Sequence, residues 1–299
     1  MQKILFSLFL LFSTAALAAI HPESSPFKKV VIVVFENADV DEVLAQPTFR
    51  FLSKQGAFFN NFHAVERPSL PNYIAMTSAS TWGVKNNGPV NLDVKNIVDL
   101  LEEKHFTWKA YAEDYPGDCY LGDQSGEYVR KHNPFMSYTD ITSDPRRCAR
   151  IVNAQEEFQT DVDAHKLPDY SFYIPNLINN GHNNGPVDAD KWLREFYFNV
   201  MLNPYVAKSD VLFILTFDES DPNKAEGFAA NRVYTLFYGT MINKVELNEY
   251  YDFYNLLTTL EDFWGLKTFK LNDQNSVPVS QKVWKCHSYD TECLATETY

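Results

Sequence analysis

The chain has 299 residues, a formal net charge of -13 and a 15% aromatic content. That length suits one large α/β domain with a sizeable core. The acidic balance argues against general nucleic-acid binding and against docking on an anionic membrane surface, and an anionic substrate would need local positive charge such as a cation.

The first element in chain order is a targeting segment. Lys3 precedes the apolar run 4–12, and Ala16-Leu17-Ala18 has the small-x-small pattern of a cleavage site. The reading is a removed signal peptide over residues 1–18, and so a secreted or periplasmic protein. The apolar run is too short for a comfortable membrane span, and no stable membrane insertion is expected. Residues 30–35 (VVIVVF) form a continuous β-branched run, the mark of a buried parallel strand, and they end at Glu36-Asn37. Within Arg67-Pro68-Ser69-Leu70-Pro71-Asn72-Tyr73, Pro71 fits a first helical turn, which sets Ser69 at or just before a helix N-terminus. Helical patterns follow at 96–104, 149–158, 190–202 and 255–264, with Gly265 as C-cap of the last. Between them, strands are predicted at 108–112, 170–174, 211–217 (VLFILTF, ending at Asp218-Glu219) and 233–238. Strands alternating with helices predict a mostly parallel sheet covered on both faces, one domain over 19–299. Residues from about 271 read as an appendage pinned by a cysteine pair. The four cysteines predict two local disulfides, Cys119–Cys148 and Cys286–Cys293, and their spacing is wrong for zinc.

In open sheets of this kind ligands bind beyond the carboxyl ends of the strands. Glu36, Asn37, Asp218 and Glu219 would there form a self-repelling oxygen cluster, which suits a divalent cation. Each could alternatively be an ordinary strand-end turn residue. Ser69, at a helix N-terminus, lies where an anion is favoured; touching a metal it could be a nucleophile, and otherwise an N-cap. His132 and His182, in polar loops, could bind metal, hold phosphoryl charge or protonate a leaving oxygen, or be plain loop histidines.

These segments, in this order, resemble the secreted phosphoesterase family of acid phosphatases and bacterial phospholipases C. The resemblance runs from Val30 to about Leu266. It includes the Glu36-Asn37 strand end, Pro68 to Tyr73, the run 111–117, His132-Asn133-Pro134-Phe135 and Pro175-Asn176. It continues through His182, Asp190-Lys191-Trp192-Leu193, Thr216 to Glu219 and the run 256–266. It implies an alkaline-phosphatase-like three-layer α/β sandwich with a divalent metal on Glu36, Asn37, Asp218 and Glu219. Ser69 would be the nucleophile and a metal contact, passing through a phosphoserine. His132 and His182 would line the phosphate pocket, and Asn72 would touch a phosphate oxygen. Two departures stand out. The usual acids around His182 are the amides Asn180 and Asn183, and a usual histidine is Phe253. The implied activity is hydrolysis of phosphate monoesters. The alternatives are a phospholipase C or lipid phosphatase, and a member that binds phosphate or phospholipid without turnover. The implied partner is a small phosphate ester or phospholipid, for a monomer or small homo-oligomer.

Overall fold

In the computed structural model, residues 21–22, 24–221 and 231–285 are described. The signal segment and the Cys286–Cys293 pair lie outside the described residues. The strands in chain order are β1 Lys29–Phe35, β2 Ala57–Phe59, β3 Phe62–His63, β4 Trp108–Ala112, β5 Gln124–Ser125 and β6 Tyr128–Val129. They continue as β7 Ile151–Asn153, β8 Tyr170–Ile174, β9 Val211–Phe217, β10 Thr235–Tyr238, β11 Val245–Leu247 and β12 Tyr251–Asp252.

Eight of these build one sheet in the order β11-β2-β10-β9-β1-β8-β4-β7. The two most apolar runs of the sequence, β1 and β9, are central neighbours. They run parallel in register from Lys29↔Val211 to Phe35↔Phe217. Strands β8, β4 and β7 extend the parallel part, whereas β10 is antiparallel to both β9 and β2. Strand alternation sends side chains to two faces. On one, Phe35 meets Phe49 of helix Pro47–Leu52 and Trp192 of helix Pro186–Phe196. On the other, Phe172 meets Tyr73 of helix Ser69–Ser78, which packs on helix Phe253–Trp264. The result is the three-layer α/β arrangement expected from the sequence.

Gly265 ends its helix with φ 60°, a left-handed conformation that costs glycine little, as expected. The pair Cys119–Cys148 is a disulfide, with its Cα atoms 5.6 Å apart.

Three local expectations need correction. The pattern 149–158 is not one helix: Ile151–Asn153 is strand β7, and the helix is Ala154–Asp163, capped by Asn153. Pairing with β4, Ala110↔Ile151 through Ala112↔Asn153, decides this short segment over its helical pattern. The helix expected over 190–202 starts earlier, with Pro186 at its first turn, and its end is a π turn at Tyr197–Met201. Residues 271–285 are not an appendage. Val279, Val283 and Trp284 are buried, and the Trp284 ring stacks on Phe27 and meets Phe263 edge-on.

Candidate active site

Parallel pairing of β1 and β9 brings their carboxyl ends together. The N–H of Asp218 donates to the carbonyl of Phe35 at 3.0 Å, so Glu36 and Asp218 leave adjacent strands side by side. Asn37 turns the chain with φ 26°, and its own N–H donates to Asp218 Oδ1 at 3.3 Å. Left-handed backbone is more accessible to Asn than to most residues.

Ser69 is the first residue of helix Ser69–Ser78, and the N-cap position is Pro68, which makes no side-chain cap. The Ser69 hydroxyl is therefore not spent on the helix end. It lies 3.3 Å from Glu36 Oε2 and 3.3 Å from Glu219 Oε1, and all three residues are buried. Asn72, expected at a phosphate oxygen, is committed elsewhere. Its Oδ1 accepts from the N–H groups of Val65 and Glu66, and its amide donates to the carbonyls of Glu66 and Pro68. It holds the turn that delivers Ser69, which leaves no amide donor for a ligand.

Tyr73 was not foreseen. Its hydroxyl donates to Glu36 Oε1 at 2.5 Å, and its ring stacks on His132 with centroids 5.4 Å apart. The available signal was spacing: a residue four after Ser69 lies on the same helix face. His132 is buried, with Nε2 3.2 Å from Glu36 Oε1 and Nδ1 3.4 Å from the amide nitrogen of Asn180. His182 stands exposed at the mouth, its ring centroid 5.9 Å from that of His132. Its ring sits between Lys131 Nζ at 3.5 Å and Asn183 Oδ1 at 3.1 Å, and its backbone N–H donates to Asn180 Oδ1 at 2.8 Å. Asn180 thus joins both histidines as a neutral group where relatives are expected to carry an acid. Beneath this loop, Glu113 accepts from Tyr173, Trp192, Asn176 and Asn179, a fixing point that no local pattern announced.

Phe253 stands where the resemblance implies a histidine. It is fully buried, and its ring packs on Phe62 at 5.6 Å.

Charge is concentrated and badly compensated here. Burial, together with Glu36 and Glu219, pushes the Asp218 carboxyl well above the usual range. Burial and Glu36 raise Glu219 to about 7. Burial works against the charge of Glu36 too, but His132, the Tyr73 hydroxyl and Lys131 hold this carboxyl below its ordinary value. Burial keeps His132 below its usual value.

Among the described residues no three His, Cys, Asp or Glu side chains make a metal cluster by themselves. The oxygens here are of mixed origin, three carboxylates with an amide and a hydroxyl. Among the described residues, Asp218 Oδ2 and Glu219 Oε2 are buried without a hydrogen-bond partner. The Asn37 amide oxygen faces only acceptors, Glu36 Oε2 at 3.1 Å and Asp218 Oδ1 at 3.2 Å; turned over, the amide would donate to both. Repelling, unpartnered oxygens on hard donors fit a divalent cation.

A model of the family described as "Phosphoesterase family" matches residues 45–267, from just after Glu36-Asn37 to beyond Asp218-Glu219. A probable acid phosphatase of Kluyveromyces lactis is 33% identical over 257 residues, 82% of this chain and 60% of that protein. A phosphatidylinositol-3-phosphatase of Mycobacterium tuberculosis is 30% identical over 263 residues, 86% of this chain and 83% of that protein. The chain therefore spans 60% of the length of that fungal relative. Among solved structures, a Vibrio parahaemolyticus protein in the alkaline phosphatase superfamily shares the fold with a TM-score of 0.60 at 14% identity. That match covers 90% of this chain and 76% of the other.

Proposed function

This chain belongs to the phosphoesterase family, and we propose that it hydrolyses phosphate monoesters with Ser69 as nucleophile and a divalent cation beside it. The observation that carries the reading is the Ser69 hydroxyl, free of any capping duty and 3.3 Å from both Glu36 and Glu219 at a helix N-terminus. Glu36, Asn37, Asp218 and Glu219 would hold the cation, with Ser69 at its edge. Bound there, it would polarise the phosphoryl oxygen and favour the serine alkoxide.

The chain's own groups supply the rest. The Ser69 proton leaves along one of its two carboxylate contacts as Oγ attacks phosphorus, forming the P–Oγ bond as the bond to the leaving oxygen breaks. Tyr73 orients Glu36 from behind through its 2.5 Å hydrogen bond. His132 and His182 flank the phosphoryl group, and His182, at the mouth, gives the leaving oxygen its proton. Water then attacks the phosphoserine and releases inorganic phosphate. Positioning and charge stabilisation carry most of such a reaction.

A lipid-directed second reading has one observation in its favour: the mycobacterial relative named for a phosphoinositide is covered over 83% of its length. Turnover of p-nitrophenyl phosphate, bis-p-nitrophenyl phosphate and a short-chain phosphatidylinositol 3-phosphate, with and without chelator, tests both. The expected result is preference for monoesters, loss on chelation and recovery with one added divalent ion. Full activity after exhaustive chelation, with metal analysis blank, would remove the cation from the account. Faster turnover of the diester would overturn the monoesterase reading, whereas faster phosphate release from the lipid, itself a monoester at its 3-position, would make the lipid the preferred substrate.

A further inference from the structure

Beside the serine turn lies a cleft of about 240 Å³, bounded by Leu70, the turn at Asn87-Gly88 and the β5–β6 hairpin, with Arg130 and Lys131 in its wall. Leu70 directly follows Ser69, and its N–H donates to Asn87 Oδ1 at 3.0 Å, which ties the cleft to the nucleophile's own turn. Lys131 is shared between the two spaces. Its Nζ is 3.5 Å from His182, and its charge reaches Glu36 and Glu219.

The cations in this wall are not neutralised by bonded acids. Arg130 is buried, and its guanidinium donates only to neutral acceptors: the carbonyls of Leu121, Val90 and Met136 and the amide oxygen of Asn91. Its Nε has no partner among the described residues. Lys131 likewise has no carboxylate within ion-pair distance among the described residues. The acid on the cleft, Asp123, is on its exposed side. A buried guanidinium without a bonded carboxylate is expensive in a protein. In a chain of net charge -13 it is more unusual still.

We propose that this cleft is an anion subsite for the leaving group, so that the preferred esters carry a second phosphate beyond the one Ser69 attacks. The inference rests on the phosphatase reading and names its substrate class. The second phosphate would bind Lys131 directly, in the positive field of Arg130, while the scissile phosphate reaches Ser69 past His182. Charge-assisted contacts to phosphate are among the stronger hydrogen bonds, so a preference of about tenfold or more is expected.

The test compares kcat/KM for fructose 1,6-bisphosphate with that for fructose 6-phosphate. Lys131→Gln should lower this ratio about tenfold, mainly through KM, and Asp123→Asn should raise it. Arg130 is left intact because its four acceptors hold the surrounding loops. A variant that merely disturbs the fold would depress both substrates alike and leave the ratio unmoved, which would overturn the proposal. So would a wild-type ratio near unity. Calorimetric binding of the two sugars to Ser69→Ala separates the two claims. If wild type hydrolyses neither ester while Lys131-dependent preference for the bisphosphate persists, the phosphatase reading falls and the subsite stands. Equal binding of the two sugars, with hydrolysis intact, sinks the subsite alone.

Discussion

Single residues at the site divide by what their polar atoms already hold. Asn72 and Ser69 are neighbours on one turn, yet Asn72 has its amide engaged by backbone, while the Ser69 hydroxyl meets only carboxylates. The proline two residues on marks the place of Ser69 in the sequence, whereas the engagement of Asn72 depends on backbone groups that only the folded turn brings together. Phe253 teaches the converse. Its place in the motif suggested a missing catalytic group, and restoring histidine there would be expected to raise activity. The buried packing against Phe62 changes that expectation. Phe253→His should leave turnover per folded molecule unimproved and cost about 2–4 kcal/mol, because it puts a polar ring where an aromatic packs. Thermal melts read beside specific activity check this; a gain in kcat with unchanged stability would return the position to the site.

At the scale of elements, what was legible depended on length and apolarity. The runs that became β1 and β9 are long and β-branched, so their ends, and with them Glu36, Asn37, Asp218 and Glu219, could be read as one patch. Strand β7 has three residues and owes its state to its neighbour β4, which no local pattern reports. Tyr73, Lys131 and Glu113 were missed for a related reason: their partners lie on other elements.

The Phe253–Trp264 helix carries a test of its own. Glu261 is buried against Asp273, whose carboxylate is already engaged by the N–H groups of Phe269 and Leu271. Burial and Asp273 raise the Glu261 carboxyl to about 8. The folded value lies above the unfolded one, so the fold binds more protons, and stability falls as pH rises from about 4.5 towards 8 and levels beyond. Removing the charge, Glu261→Gln, should raise the melting temperature at pH 8 by several degrees and flatten its pH dependence over that window. An unchanged slope would show that this carboxyl does not titrate there.

For the molecule as a whole, the parallel sheet, the two helical layers and the local disulfide followed from the sequence, because alternation of elements and cysteine spacing are properties of the chain itself. The closing segment did not, since the burial of Trp284 under Phe27 and Phe263 joins opposite ends of the chain. The Cys119–Cys148 bridge spans 29 residues. Its selective reduction should lower stability by about 3 kcal/mol, measured by denaturant unfolding with and without reductant. No loss would mean that the loop is held by its packing alone.

The proposed reaction turns on attack at phosphorus by Ser69. Acid quenching of the protein during incubation with a labelled phosphate ester, followed by peptide mapping, is the direct test. Phosphate is expected on the peptide containing Ser69, and none in Ser69→Ala, together with a loss of several orders of magnitude in kcat. A folded Ser69→Ala protein that keeps near-normal turnover, with no phosphopeptide trapped from the wild type, would contradict it.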